Sequence, residues 1–424
     1  MTMKKKICIL LILLIASGLS YSQQEFSPGS LYSAFGIGEL RYYASSRTDQ
    51  MGIQGISLLG NYVNSLNPAA NSYLDYTFVT LGVKAILLET YNKNSSAEFS
   101  DANVTGFNLG IPIWRPYGMT LLFGFNPYSV VQYKITGKTT NNGATYNQTY
   151  AGNGGLSRIN FGYSGRPLPA LNLGVEANYT FGNIRGISYF DFNDPSIFNS
   201  YIKTENELAG WFFKGGAVLD LGEVFKKSTA MYKLTLGFVY QSRFGLKSET
   251  DKIYGVIRNI NITYDTVHYF NPDIVVPESY GFGITKQFGR QVIVSTDVLF
   301  QNFSSFEPSN LLPANYQNNF RYGIGFEILP APKTDREFYE KLTYRGGFSY
   351  TTSYFKIQGE TVNEYSANIG VGIPINNENA VDVGFTIGTR GKTEGILVKD
   401  NYLKFNLGLN FGEFWFLRPR DEDK

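Results

Sequence analysis

Cysteine and histidine are nearly absent from this chain, which has one of each among 424 residues. Cys8 lies in an apolar N-terminal stretch, too early for a lipoprotein attachment site, and His268 lies in a polar region. Zinc and other soft-ligand metal sites need several such side chains. We therefore expect no metal, no cofactor and no disulfide. A serine hydrolase needs only one histidine, but His268 fits a solvated outer loop better than a catalytic site, and we expect no enzyme.

An excess of charge of one sign is also missing. The first 22 residues have the form of a cleaved export signal: Lys4 to Lys6 are basic, residues 7–16 are apolar, and small residues at Ser20 and Ser22 flank Tyr21. Ten apolar residues are too few to cross a bilayer as a helix. Cleavage before Gln23 removes three of 37 basic residues and leaves 34 against 35 acidic ones. This balance argues against a nucleic-acid partner.

Strict alternation of apolar and polar residues is what the chain has in abundance. Odd positions from Leu403 to Phe411 are apolar, and even positions from Lys404 to Gly412 are polar or glycine. A period of two indicates a β-strand with one apolar face, and the pattern recurs about fourteen times over residues 73–424. We predict an all-β fold, a closed antiparallel transmembrane β-barrel of about 14 strands. A soluble β-sandwich or barrel is the alternative.

The connections between the predicted strands alternate in length. Long polar outer loops are predicted at residues 137–154, 191–204 and 248–278, and tight turns at 115–116, 166–167 and 289–290. An even strand number with this alternation places both termini in the periplasm of a Gram-negative bacterium, with the barrel in its outer membrane. The charged side chains that we predict to face the lumen are Lys84, Glu176, Lys233, Asp297, Arg321, Glu327, Arg345, Asp382 and Lys404.

About fifty residues precede the first predicted strand. They are rich in glycine and short apolar runs, and they carry little charge. A 14-stranded barrel encloses more space than its own side chains fill. We predict that residues 23–72 form an N-terminal plug inside the lumen; a disordered periplasmic extension is the alternative.

Two prolines interrupt this pattern. Asn67-Pro68 predicts a turn where the plug becomes barrel. Asn126-Pro127 lies inside the third strand, where proline cannot donate to the ladder and a closed barrel has no edge strand to hold it. We predict a gap in the wall at this point, a lateral opening lined by Phe123, Phe125, Asn126, Pro127 and Tyr128. Alternatively the strand ends earlier and Pro127 belongs to the outer loop.

Several short motifs resemble the long-chain fatty-acid transporter family of outer-membrane barrels. They are Met51-Gly52 with Gly55-Ile56, Asn67-Pro68-Ala69-Ala70, Asn126-Pro127-Tyr128 with Tyr133, Val276-Pro277-Glu278, and Tyr344-Arg345-Gly346-Gly347. Residues 30–38 resemble a motif of poorly characterised exported barrels of this type. The resemblance implies fourteen strands, an N-terminal hatch that includes Asn67, Pro68 and Ala69, a kink at Pro127, and passage of hydrophobic molecules to an opening in the wall.

Two functions follow from this sequence. The first is passive uptake of hydrophobic small molecules of the fatty-acid or hydrocarbon class, with outer-membrane lipid and the ligand as partners. The alternative is a scaffold that does not transport and serves assembly or secretion of other exported proteins. The lumen discriminates between them: a continuous apolar track to the opening favours transport, and a sealed polar lumen favours a scaffold.

Overall fold

The structure of the chain is a computed structural model. It describes residues 29–413 apart from 43–44, 94, 142–143, 193, 195, 227, 259–260, 307, 309–310, 312–314, 332–336, 377 and 395–396. The predicted export signal, its cleavage site before Gln23, and residues 23–28 of the predicted plug lie outside the described residues.

Fourteen strands make up the wall. They are β1 (Thr77–Tyr91), β2 (Ser96–Trp114), β3 (Met119–Asn141), β4 (Ala144–Leu168), β5 (Leu171–Asp191), β6 (Asn199–Asp220), β7 (Leu234–Gln241 and Phe244–Arg258), β8 (Asn261–Val276 and Ser279–Phe288), β9 (Val292–Gln301), β10 (Asn319–Ile328), β11 (Thr343–Ile357), β12 (Glu360–Pro374), β13 (Ala380–Gly391) and β14 (Lys399–Glu413). β7 and β8 are each interrupted by a two-residue break. Two-residue strands at Glu39–Leu40 and Asn315–Tyr316 join the sheet beside the wall.

The sheet closes on itself and is antiparallel throughout. Each strand pairs with the next, and β14 returns to β1 over fifteen residue pairs, from Lys399 opposite Tyr91 to Glu413 opposite Thr77. The predicted closed barrel of fourteen strands is confirmed. We call the end of the barrel opposite Thr77 and Glu413 the outer end.

The alternation of faces is visible in β14. Leu403, Phe405 and Phe411 are exposed on the outward face, while Asn406 and Gly408 are buried on the inward face. The same division holds for β5 and β13, which the sequence pattern also assigned. The apolar residues therefore form the outer surface of the wall, as the alternation predicts.

The charged side chains follow the same division with one exception. Eight of the nine predicted to face the lumen do so. Lys233 does not: it precedes β7 in an exposed turn, with a backbone φ of 52°. The polar and apolar residues around it alternate as they do in a strand, but the ladder begins only at Leu234. The error lies at the strand boundary, where alternation alone is weakest.

The prediction of long polar outer loops is wrong for residues 137–154 and 248–278 and, in part, for residues 191–204. Residues 137–154 and 248–278 are mostly strand. The strands β3 and β4 are 23 and 25 residues long, whereas a strand needs only about 9–11 residues to cross a bilayer. His268 accordingly lies on β8, where its Nδ1 is 2.5 Å from Asp251 Oδ1. Residues 199–204, also predicted as loop, belong to β6. Beyond the lipid both faces of a sheet meet water, so paired strands there need no apolar alternation.

Short helical turns fill the connections and the chain before β1. The chain before β1 contains 3-10 turns at Leu31–Ala34 and Pro68–Tyr73 and an α-helix, α1, at Ser46–Gln50. After it come 3-10 turns at Arg115–Tyr117, Phe303–Ser305 and Phe338–Lys341, and the α-helix α2 at Leu221–Val224. Across the described ranges, no helix is long and apolar enough to cross a membrane.

The described residues before β1, 29–42 and 45–76, are named here the inner segment. They contact the inward faces of strands around the barrel: α1 touches β11 to β14, and the turn at Pro68–Tyr73 touches β3 to β6. Met51, Ile56 and Leu58 are almost fully buried there. That the segment occludes a passage stays a prediction.

Candidate functional site at the break in the wall

Two neighbouring strands of the wall, β2 and β3, are paired over only part of their length. The ladder between β2 and β3 runs only from Trp114 opposite Met119 to Phe107 opposite Phe125. Beyond it, β2 stays paired with β1 as far as Ser96, and β3 stays paired with β4 as far as Asn141. Toward the outer end β2 and β3 therefore separate, and the separation begins at Asn126, where the sequence places the proline.

Asn126 and Pro127 sit at the base of this break. Pro127 lies opposite Ser157 of β4, and the register shifts between Pro127 and Ser129, which marks a bulge. Asn126 is buried, donates from Nδ2 to Asn108 Oδ1 at 2.8 Å, and accepts from Asn108 Nδ2 at 3.2 Å. This pair of amides joins the inward faces of β2 and β3 at the last point where the two strands are paired.

Aromatic residues flank the break on both faces. Phe123 and Phe125 are 44% and 45% exposed on the outward face just below it. Tyr128 is buried on the inward side, with its ring 5.9 Å from that of Phe212 and 6.2 Å from that of Phe244. It belongs to a contiguous apolar cluster in the outer half of the lumen. The cluster includes Val131, Leu156, Leu208, Leu246, Ile274, Phe303, Phe306 and Tyr354.

The inner segment lies along β3 at the break. Glu39 and Leu40 pair with Val130 and Ser129 of β3, and the Arg41 N–H donates to Tyr128 O at 2.9 Å. Burial alone would raise the pKa of Glu39, but Arg41, Arg390 and Lys404 outweigh it and hold that pKa well below its usual range.

A cavity of about 240 Å³ adjoins the break on the side of β1, β2 and β10 to β14. Its lining includes several charged side chains among apolar ones. Arg390 lies 3.3 Å from Glu39 and 3.8 Å from Glu364, and Lys404 is also 3.8 Å from Glu364. The cavity therefore has a mixed lining, because Tyr354 and Phe355 of β11 and Val362 of β12, which belong to the apolar cluster, line it beside the charged residues.

The predicted hatch residues lie deeper, against β5, β6 and β7. Asn67 is fully buried, accepts from the Ala69 N–H at 3.0 Å and donates to Ile56 O at 2.6 Å. A Cβ on Gly216 of β6 would lie 1.9 Å from Asn67 Oδ1, and one on Gly174 of β5 would lie 2.5 Å from the Ala69 nitrogen. Only glycine leaves room for this approach of two backbones.

Such close approach recurs around the barrel. On seven other strands, inward glycines face the inner segment so closely that a Cβ would lie 1.8–3.1 Å from its atoms. They are Gly237, Gly283, Gly323, Gly325, Gly347, Gly370, Gly384 and Gly408. We call these eight, together with Gly174 and Gly216, the glycine ring. It holds the inner segment against the wall over most of the circumference.

Charged contacts add to the glycine ring. Glu327 of β10 binds Arg47 of the inner segment and Arg345 of β11, with its Oε1 3.0 Å and 2.8 Å from their Nε atoms. Asp297 of β9 accepts from the N–H groups of Gln54 and Gly55 at 2.8 and 2.7 Å. The inward charges that the sequence assigned to a lumen therefore anchor the inner segment.

The β2–β3 ladder ends beside the proline that the sequence singled out, and that this end is a lateral opening stays a prediction. The sequence did not indicate what surrounds it. Nothing in the alternation of residues predicts that Glu39–Leu40 pairs with β3 or that Glu364, Arg390 and Lys404 meet in one cavity. A signal for the glycine ring was present, since glycine recurs at inward positions of strands. Among the described residues no three acids or histidines lie close enough together to hold a metal ion.

Comparison with known proteins supplies the family. The family model described as BamG matches residues 3–421. The chain belongs to the BamG family. No curated protein matches its sequence.

Solved structures share the fold of this BamG-family chain at low identity. A Pseudomonas aeruginosa FadL homologue superposes with TM-score 0.60 at 12% identity, over 88% of this chain and 99% of that chain. The monoaromatic hydrocarbon channel CymD superposes with TM-score 0.58 at 14% identity, over 91% of this chain and 100% of that chain. The Ralstonia pickettii toluene transporter TbuX superposes with TM-score 0.57 at 14% identity, over 88% of this chain and 99% of that chain. The resemblance to fatty-acid transporter barrels is confirmed as a likeness of fold, although the family model carries another name.

Proposed function

We propose that this protein is an outer-membrane barrel that passes hydrophobic small molecules to an opening in its wall between β2 and β3. The observation that carries the proposal is the end of the β2–β3 ladder at Phe107 and Phe125, while the neighbouring ladders continue. In lipid an unpaired backbone group costs several kcal/mol, so a wall interrupted at this height calls for a functional reason.

The apolar cluster in the outer lumen supports the same proposal. It extends from Phe303 and Phe306 to Tyr128, beside Pro127. A hydrophobic molecule entering from the outer end would meet buried apolar side chains until it reached the break. Two neighbours in fold are described as a hydrocarbon channel and a toluene transporter, and we assign the same broad class of ligand here, with no catalytic role. The exposed apolar outward face would contact the lipid of a Gram-negative outer membrane.

The test uses a matched pair of outward phenylalanines. Phe125 lies at the break and Phe161 on the continuous part of β4, and both are exposed. Uptake of a radiolabelled monoaromatic hydrocarbon is measured in cells that make equal amounts of parent, Phe125→Ser and Phe161→Ser protein. We expect uptake to fall several-fold for Phe125→Ser alone. Equal uptake by all three would contradict a route past Phe125.

A second function is favoured by a different observation. The glycine ring and the contacts of Glu327 and Asp297 fix the inner segment to the wall, and paired charges of Glu39, Glu364, Arg390 and Lys404 lie in the cavity at the break. A barrel that never opens suits a scaffold for other exported proteins. Under that function, depletion of the protein would lower the amounts of other barrels in the outer membrane, and neither phenylalanine variant would change hydrocarbon uptake.

A further inference from the structure

A groove crosses the outward face of the wall on β2, β1 and β14 to β11. Its volume is about 1150 Å³, and it lies between two rows of outward side chains that follow the register around the barrel. Leu88, Ser366 and Tyr402 lie between the rows and are buried on the inward side, so the backbone of the wall forms the floor of the groove. This volume exceeds the roughly 300–1,000 Å³ of pockets that hold drug-sized ligands.

The row farther from the outer end is apolar. Each of its residues lies opposite the next one on the neighbouring strand, and Leu87 and Ile387 are 59% and 65% exposed. The row consists of Phe348, Ala367, Ile387, Leu403 and Leu87. On β1 and β2 the groove continues away from the outer end past small side chains, since Ser100 lies opposite Leu87 and the next outward pair is Ala85 and Ala102. These side chains leave room for an acyl chain along the wall.

The row nearer the outer end is polar. It consists of Tyr365, Thr389, Asn401, Glu89 and Glu98, which lie opposite one another in that order. One step along the strands therefore takes the outward face from apolar to polar. In a transmembrane barrel this change marks the boundary between the hydrocarbon and the head groups of the bilayer, where tyrosine is enriched.

The charged side chains of the groove have no partners within the described part of the chain. Glu89 and Glu98 are both exposed and lie directly opposite each other on β1 and β2. Neither forms a salt bridge with a described lysine or arginine, including Lys93 in the turn between the two strands, and Lys399 forms none with a described acid. Like charges that face each other on paired strands destabilise a sheet. A cation between the two carboxylates would remove this cost.

We propose that the groove binds a phospholipid whose head group carries both an ammonium and a phosphate, of the phosphatidylethanolamine class. The ammonium lies between Glu89 and Glu98, the phosphate lies beside Lys399, and the acyl chains cover the apolar row. This site goes beyond the passage of hydrophobic molecules. It rests on the place of the barrel in a membrane and does not depend on transport.

Two observations select this occupant. The groove lies on the lipid-facing surface, where apolar side chains give way to polar ones, so an amphiphile matches both of its rows. Its lining carries two carboxylates and one lysine, Lys399, which complement an ammonium and a phosphate in one head group. A purely anionic lipid would place its charge beside two carboxylates for a single lysine.

Competition between two lipids tests the proposal. Full-length protein in detergent, with EDTA, is mixed with equal amounts of phosphatidylethanolamine and phosphatidylglycerol that have the same acyl chains. Native mass spectrometry counts the lipids bound to parent and to the double variant Glu89→Gln/Glu98→Gln. The control is Glu207→Gln/Glu249→Gln, because these two glutamates are also exposed and directly opposite, on β6 and β7, away from the groove. Circular dichroism shows that each variant keeps its strands.

The expected result is that the parent binds one phosphatidylethanolamine with a preference of roughly tenfold over phosphatidylglycerol. The preference is lost in Glu89→Gln/Glu98→Gln and kept in Glu207→Gln/Glu249→Gln. Ala367→Trp, which fills the apolar row and leaves the charges in place, should weaken binding of phosphatidylethanolamine.

Three results would overturn the proposal. The parent could bind both lipids equally, or the two double variants could lose the preference alike. Binding of phosphatidylglycerol instead, seen only when Mg²⁺ replaces EDTA, would show that the carboxylates hold a metal ion and not an ammonium. Hydrocarbon uptake does not enter this readout, so this proposal and the proposed function fail separately.

Discussion

At the scale of single residues, alternation predicts which face a side chain occupies but not what it meets there. The pattern places Leu407 outward and Asn406 inward, and the structure agrees. From sequence alone an inward polar position in a barrel lumen would be expected to tolerate a charge. Asn406 is 2% exposed and donates to Asp49 Oδ2 of the inner segment at 2.9 Å. Contacts with a separate segment leave no periodic trace in a strand, so this constraint could not be predicted.

The outward face gives a direct prediction. Leu407→Arg should lower the free energy of unfolding by about 2–4 kcal/mol if the site lies near the bilayer midplane, because the guanidinium would enter lipid. Glu413→Arg, at the end of the same strand and already exposed, should have far less effect. Urea titrations of the protein refolded in lipid vesicles measure both. Equal losses for the two variants would refute the assignment of the membrane-facing band.

A second prediction concerns Glu327, whose carboxylate links the inner segment to the wall. Glu327→Gln should destabilise the barrel by about 3–5 kcal/mol, because Arg47 and Arg345 would lose a buried common partner. Glu360→Gln removes an exposed partner of Lys392, 2.8 Å away, and should change little. The same urea titrations compare them. A Glu327→Gln protein as stable as the parent would show that the ion pairs do not anchor the segment.

At the scale of elements, the membrane-crossing parts of the strands were predictable and the rest was not. The third strand was expected over residues 117–136 and extends to Asn141, and the fourth was expected to begin at 155 but begins at Ala144. The added residues are mostly polar and do not alternate strictly, so they lack the signal that lipid imposes. The inner segment shows the same limit: its aliphatic content indicated burial, but no periodicity indicated its path.

The glycine ring predicts which glycines of the strands cannot be replaced by alanine without displacing the inner segment. A Cβ at Gly325 would lie 2.1 Å from Met51 O, whereas one at Gly215 would meet nothing within 4 Å. Gly325→Ala should therefore displace the inner segment at a cost of about 1–3 kcal/mol, and Gly215→Ala should not. Hydrogen exchange of residues 48–58 reports the displacement as faster exchange. Unchanged exchange in Gly325→Ala would mean that the segment is not seated on the glycines.

At the scale of the whole molecule, repeated alternation predicted a closed barrel of fourteen strands, and one proline indicated where the β2–β3 ladder ends. Pro127 was informative because a closed barrel offers no edge on which to place a residue without an N–H. The meeting of the apolar cluster with the charged residues of the cavity depends on which strands face each other across the barrel. That arrangement is set by closure and register, which a linear pattern does not contain.

The measurement that tests the central claim most directly is hydrocarbon uptake by cells carrying Pro127→Val. Valine restores a backbone donor at the base of the break, which should extend pairing toward β2, narrow the opening and slow uptake several-fold. Pro112→Val is the control, because Pro112 lies on β2 opposite Thr120, within the intact part of the β2–β3 ladder, and its uptake should equal that of the parent. Uptake by Pro127→Val at the parental rate, with equal amounts of protein in the membrane, would contradict the lateral opening.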